Sequence, residues 1–219
     1  MTAPLADRLD AGLGTMGISA SAVERDALLA LVHELLRWNA RINLTAIRDA
    51  GEVITQHLLD SLSILHLLQG GRVLDVGSGG GFPGLPLAVM ASQRQFTLVE
   101  ANARKAAWLQ HAASHLQLRN VTVRCARIEG MEFREPPQDI VARAFSSLAD
   151  LASAVTHASG AATRILAMKG RMPKEEIAAV PPPWRVETVI RLNVPGLDAE
   201  RHAVILLHSA GTTGSTLPS

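Results

Sequence analysis

Cysteine is almost missing from this chain of 219 residues. Cys125 stands alone, which excludes an intramolecular disulfide and fits a reducing compartment. Lysine is nearly as scarce: only Lys105, Lys169 and Lys174 carry an ammonium group, and all other basic residues are arginine. Genome composition accounts for such a bias, although arginine also suits bidentate phosphate contacts. No excess charge of either sign exists. The net charge is +1, so whole-molecule electrostatics neither demand nor exclude a nucleic acid, and only a local basic patch would serve one. No apolar run is long enough to span a bilayer. The first residues include Asp7 and Asp10 and lack the apolar centre of a signal peptide. No internal repeat is visible. The expectation is a soluble, cytoplasmic, monomeric protein with no membrane partner. With 47% hydrophobic and 19% charged residues, the composition is globular. The length suits one domain with a small extension.

The residues that are present change pattern near Gly70. Up to that point the chain reads as helical. Ser21 followed by Glu24 forms a capping-box pair. Behind it Leu28, Leu31, Val32 and Leu35 recur at helical spacing, with Leu29 and Leu36 widening the stripe. After a polar stretch at 43–49, a second helical stripe covers 53–68 through Leu58, Leu62, Leu65 and Leu68. These helices cannot bury their apolar faces alone. Residues 1–70 are therefore expected to be a helical extension packed on a larger domain, 71–208.

From Arg72 onward strands and helices alternate. Strands are predicted at 72–76, 96–100, 121–126, 140–145, 164–169, 186–192 and 203–208, mostly short apolar runs that suit strands covered on both faces. Helices fit at 85–91, 103–116, 148–158 and 174–180. Such alternation implies an α/β fold with a mainly parallel, doubly wound sheet of seven strands. The connection 193–201, with Pro195-Gly196, is too short for a helical crossover, so the last two strands should form an antiparallel hairpin. The Gly, Ser and Thr-rich tail 209–219 is expected to be disordered.

The first strand runs into Gly77-Ser78-Gly79-Gly80-Gly81-Phe82-Pro83-Gly84. Glycines allow positive φ and close approach of the backbone to a ligand. Pro83 and Pro86 suit the first turn of a following helix. Strand, glycine turn and helix place a ligand at the carboxyl edge of the sheet. Glu100, at the end of the second strand, can accept hydrogen bonds from ribose hydroxyls there. Read literally, Gly79-x-Gly81-x-x-Gly84 also fits the dinucleotide fingerprint, so a nicotinamide enzyme stays open on that segment alone. The earlier Asp75-x-Gly77-x-Gly79, the terminal hairpin and the lack of a second domain favour S-adenosylmethionine.

Trp38-Asn39, Asn43-Leu44-Thr45, His57-Leu58-Leu59-Asp60-Ser61, Asp75-Val76-Gly77-Ser78-Gly79 and Phe82-Pro83-Gly84-Leu85-Pro86 stand in one order. Arg143-Ala144-Phe145, Lys169-Gly170 and the stretch from Pro195 to Glu200-Arg201-His202 continue it. This series strongly resembles the RsmG (GidB) family, collinearly from about Gly17 to His208. The resemblance implies a class I, Rossmann-like methyltransferase fold and a bacterial enzyme that methylates N7 of guanine 527 in 16S ribosomal RNA, on naked RNA or a small-subunit particle. It implies S-adenosyl-L-methionine as cofactor. Its contacts would fall on Gly77, Ser78, Gly79, Phe82, Ile128, Glu129 and Arg143, with Glu100 and Ala101 near the adenosine. Relatives commonly have Ser before the Arg, where this chain has Ala142.

Guanine N7 has an in-plane lone pair and no proton, so no general base is needed, and catalysis rests on proximity and orientation. Arg143 and Asp60 are the candidate catalytic residues, Asp60 as a carboxylate near the cationic product ring. There is no Asn-Pro-Pro-Tyr-like tetrapeptide for exocyclic amines. Cys125 sits mid-strand without a preceding Pro and is expected to be a small core residue. His57 and Asp60 lie one helical turn apart, as a hydrogen-bonded pair or as substrate contacts. His111 and His115 have i, i+4 spacing, but no motif Glu or third ligand accompanies them in sequence, so no metal is expected. Trp108 reads as packing. Arg37, Arg41, Arg48, Lys169, Arg171, Arg201 and His202 are the candidates for RNA phosphate contacts, with surface salt bridging as the competing reading.

Overall fold

The computed structural model describes residues 3–209. Of the expected tail, 210–219 lie outside the described residues. The chain begins with α1 (Ala3–Thr15) and α2 (Ala22–Asn39). Ser21 caps α2 in a full capping box: its Oγ accepts the Glu24 N–H, and the Glu24 carboxylate accepts the Ser21 N–H at 2.7 Å. The next helical segment departs from the regular stripe expected at 53–68. It comprises α3 (Ala50–Val53), π-helical turns (Ile54–Leu59) and α4 (Asp60–Leu62), and a separate 3₁₀ turn follows at Leu65–Leu67. The Asp60 N–H points to both the His57 and Thr55 carbonyls, which marks the widened turn.

The sheet contains β1 (Arg72–Val76), β2 (Gln95–Glu100), β3 (Val121–Cys125), β4 (Asp139–Arg143), β5 (Arg164–Lys169), β6 (Trp184–Arg191) and β7 (His202–His208). Between them lie α5 (Gly84–Met90), α6 (Ala103–His115), α7 (Leu148–Val155) and α8 (Lys174–Ala178). The order is β3-β2-β1-β4-β5-β7-β6. Strands β1 to β5 pair in parallel, and β7 is antiparallel to both β5 and β6. The seven-stranded, mainly parallel sheet with its antiparallel terminal hairpin is therefore present. Strand order reverses between β1 and β4, which makes their carboxyl ends the switch point of the sheet.

Two core layers cover the sheet. On one face, Leu28, Leu31, Val32 and Leu35 of α2 join Leu58, Leu62, Leu85, Trp108 and Leu109 in one continuous cluster. On the other, Leu148, Leu151 and Val155 of α7 pack with Leu74, Ile140, Ile165 and Trp184. The helical extension thus shares its core with the sheet.

Three details differ from expectation. β4 stops at Arg143 rather than at 145, because Ala144 adopts φ +58° and turns the chain out of the sheet. β3 is an edge strand and largely uncovered, not buried on both faces. Consequently Cys125 is exposed and no core residue. Cys125 is the last residue of this strand, and a strand thiol reads as core only if the strand is central.

Candidate active site

The glycine loop is built outward from β1. Gly77 and Ser78 donate their N–H groups to the Val99 carbonyl of β2 at 2.9 and 3.1 Å, which ties the loop across the sheet edge. Asp75 lies beneath it, 1% exposed, and accepts the Gly84 N–H at the start of α5 at 3.0 Å. Burial pushes its carboxyl group up to about 7. Among the described residues its second oxygen has no hydrogen-bond partner. The fully buried Trp108 of α6 holds the loop from the side, its indole N–H donating to the Gly80 carbonyl at 3.1 Å.

The glycines differ in what surrounds them. A side chain at Gly81 would strike Leu85, and one at Gly84 would strike the Asp75 carboxylate. Gly77, at φ +71°, faces open space with nothing within 4 Å of a Cβ position. Packing requires Gly81 and Gly84, whereas Gly77 keeps a surface of backbone clear.

Beside it, Glu100 ends β2 and is 8% exposed. Its two oxygens accept the N–H groups of Gly79 at 2.9 Å and Asn102 at 2.7 Å. The carboxylate therefore braces the loop as well as facing it. Ala101 and Glu129 are exposed, Ser78 is buried, and Ile128 is buried in the second core layer next to the end of β3. Ala142 is buried in the same layer.

Arg143 ends β4 across the switch point. Its guanidinium donates to Asp60 Oδ2 and the Gln56 carbonyl, both at 3.1 Å, and lies 3.2 Å from His57 Nδ1. It also sits over the Phe82 ring, 5.2 Å from the centroid. Burial pulls its pKa below the ordinary arginine value, opposed by the Asp60 charge. Arg201 donates Nε to the other Asp60 oxygen at 3.0 Å. One carboxylate, 2% exposed, thus links β4, the start of β7 and the helical extension.

This arrangement corrects two expectations. His57 and Asp60 are not bonded to each other; both bond Arg143, because the π-helical turns rotate them toward the end of β4. Asp60 does not offer a free carboxylate to a substrate, since each oxygen already holds an arginine. His57 stacks on Phe82 with centroids 4.6 Å apart, and its Nε2 lies 2.7 Å from Thr45 Oγ1. Burial, then the Arg143 charge, lowers its pKa to about 4. The ring is therefore neutral. Nδ1 lies 3.2 Å from the Arg143 guanidinium and 3.0 Å from the Gln56 carbonyl, and the Thr45 hydroxyl oxygen beside Nε2 also accepts the Ile47 N–H at 3.1 Å.

Reading the sequence gave Asn39 no role beyond its place in the Trp38-Asn39 pair, and it passed over Gln56. Asn39 is buried at the end of α2; it accepts the N–H groups of Leu44 and Thr45 and donates to the carbonyls of Thr45 and Ile47. It shapes the loop that carries Thr45 to His57. A polar side chain ending an apolar helical stripe was the available signal. Gln56 contributes only its carbonyl, which leaves no mark in a sequence.

The candidate phosphate contacts separate into two groups. Arg37, Arg41, Arg48 and Arg171 are exposed, although Arg37 pairs with Glu34 and Arg48 donates to the Thr45 carbonyl. Lys169, Arg201 and His202 are engaged internally. Lys169 pairs with Glu176 at 2.8 Å and bonds the Phe145 carbonyl; Arg201 holds Asp60; His202 is 5% exposed with Nδ1 against the Gly170 carbonyl at 2.9 Å. For these three the competing reading of internal pairing is the one the structure shows, Lys169 at the end of β5 against α8 and Arg201 and His202 at the start of β7. A groove of about 580 Å³ between the end of α1 and β6 touches none of these residues. Among the described residues no helix is long and apolar enough to cross a membrane.

Comparisons with known proteins converge on one family. The family model described as rRNA small subunit methyltransferase G matches residues 24–205. The ribosomal RNA small subunit methyltransferase G of Pseudomonas paraeruginosa is 45% identical over 206 residues, covering 94% of this chain and 96% of that protein. The protein of the same name from Pseudomonas fluorescens is 38% identical, covering 96% and 98%. Among solved structures, a SAM dependent methyltransferase from Aquifex aeolicus superimposes with a TM-score of 0.53 at 15% identity, covering 71% of this chain and 93% of that one. TrmN from Thermus thermophilus gives 0.51 at 16%, covering 71% and 48%. These two similarities concern the fold.

Proposed function

Because this chain belongs to the rRNA small subunit methyltransferase G family, we propose that it transfers a methyl group from S-adenosyl-L-methionine to N7 of guanine 527 in 16S ribosomal RNA. The observation that carries the reading is the meeting of open backbone at Gly77 with the Arg143 guanidinium across the switch point between β1 and β4. A methionine portion fits the space over Gly77, where no side chain intrudes. We assign the remainder of the cofactor to the side toward β2 and β3, where Ala101 and Glu129 are exposed beside Gly79 and Glu100, with the buried Ser78, Phe82 and Ile128 shaping the floor.

When bound, the cofactor supplies an electrophilic methyl group on its sulfonium. The chain's own task is positioning. Guanine N7 brings its lone pair and carries no proton, so no residue need act as a general base. Arg143 is the group next to the reacting atoms, fixed in place by Asp60, Gln56 and His57. It can bind the cofactor carboxylate or an RNA oxygen. Asp60 is a positioning residue that keeps Arg143 and Arg201 in register. Arg41, Arg48 and Arg171 are the exposed candidates for RNA phosphates, with Arg37 beside them.

The test is methyl transfer from labelled cofactor to small-subunit RNA and to assembled particles lacking the modification, followed by mapping. Label at one N7-methylguanine, at position 527, is expected. Failure on every ribosomal substrate overturns the substrate assignment. Calorimetry showing tight NAD binding and no S-adenosylmethionine binding overturns the cofactor assignment.

A further inference from the structure

Outside the active site, the fold brings together three metal-ligating side chains from distant parts of the sequence. His111 and His115 stand one turn apart on α6, and Glu34 reaches them from α2. One ligand atom from each lies within 4.8 Å of the other two. Glu34 Oε2 is 2.8 Å from His111 Nε2, and the His111 and His115 rings are 5.8 Å apart at 19° between planes. The spacing in sequence offered two histidines without a third ligand; tertiary packing supplies it.

We propose that Glu34, His111 and His115 form a binding site for a divalent zinc ion that clamps α2 onto α6. Two imidazoles and one carboxylate, with water in the fourth position, are a donor set that zinc takes in tetrahedral geometry. Ligand atoms about 2.1 Å from a tetrahedral ion lie about 3.3–3.5 Å from one another. Glu34 and His111 need only part slightly to admit the ion, and His115, which is exposed, closes by a rotamer adjustment. Glu34 is 12% exposed and His111 33%, so the site has walls and an opening. Arg37 shares the Glu34 carboxylate but its side chain is 63% exposed and can swing away into solvent. The competing arrangement is the present hydrogen bond between Glu34 and His111, without an ion.

The site carries its own reporter. Trp38 lies against His111 with ring centroids 4.8 Å apart, and Trp108 is 5.8 Å from Trp38. The experiment is titration of the untagged, metal-free protein with zinc chloride, followed by calorimetry and tryptophan fluorescence. One equivalent should bind, with a fluorescence change and a rise in Tm at saturation. Losing even an outer-shell partner of a metal ligand typically costs 10–100-fold in affinity, so His115→Ala and Glu34→Gln should each weaken binding by at least about tenfold. His66→Ala, which removes an exposed histidine elsewhere, should leave it unchanged. Because His115 is exposed, its variant keeps the fold, which circular dichroism checks. Absence of zinc binding by the intact protein, or binding that His115→Ala and Glu34→Gln leave unaltered, overturns the proposal. Neither result bears on methyl transfer.

Discussion

At Gly77 the backbone has φ +71° and nothing occupies the space where a Cβ would project. Gly77→Asp should therefore fold, with a modest backbone cost, yet lose S-adenosylmethionine binding because its carboxylate fills the open side of the loop. Calorimetry on the folded variant checks this; retained affinity would move the cofactor elsewhere. Gly84→Ala should behave in the opposite manner. Its methyl group meets the buried Asp75 carboxylate, so stability falls first, measured by denaturant titration. Two buried titratable groups set opposing pH slopes. Asp75 is held protonated up to about 7 in the native state, whereas the unfolded chain ionises near 3.8. Its contribution to stability is full below pH 3.8 and is lost as pH rises toward 7. His57 is neutral in the native state down to about 4, but protonates near 6.5 when unfolded. Its contribution is full above pH 6.5 and is lost as pH falls toward 4. Between pH 4 and 6.5 the two largely cancel. Asp75→Asn should unmask the His57 slope, up to about 1.4 kcal/mol per pH unit with stability rising toward neutrality. A flat profile in that variant would refute the assignment.

At the scale of elements, the widened helical turns at Ile54–Leu59 matter most. They deliver the Gln56 carbonyl, His57 and Asp60 to one guanidinium at the end of β4. Asp60→Ala would leave Arg143 and Arg201 facing each other in a largely buried place without their carboxylate. A loss of about 3–5 kcal/mol is expected, read from chemical denaturation. A loss below about 1 kcal/mol would mean that the two arginines find other partners. The periodicity of Leu58, Leu62 and Leu65 announced a helix here, because apolar spacing reports which face is buried. It did not announce the π-helical turns, since one extra residue per turn barely disturbs a leucine-rich stripe. The strand ends tell the same story. β4 was legible from Ile140 to Ala142, but its early stop depends on Ala144 in the left-handed region, a conformation that alanine's side chain does not advertise.

On the scale of the whole molecule, one core cluster runs from Leu9 and Leu28 through Leu85 and Leu109 to Ala203. The helical extension is therefore part of what the sheet buries. Deleting residues 1–49 should uncover this face and give aggregated protein, seen by size-exclusion chromatography; a soluble, cooperative product would mark the extension as separable. Local patterns determined a great deal without tertiary information: the βαβ alternation, the terminal hairpin, the glycine loop with Asp75 and Glu100, and the family. These follow from chemistry carried by neighbouring residues, such as period, turn residues and short motifs. What only the tertiary structure decided is which side chains meet across long stretches of chain. The sequence left Lys169, Arg201 and His202 open between phosphate contacts and salt bridging, and packing engages them with Glu176, Asp60 and the Gly170 carbonyl. It presented His111 and His115 without a third ligand, and folding brought Glu34 to them, 77 residues from His111 in the chain. Burial and partnership are properties of distance in space, and no period in the chain encodes them.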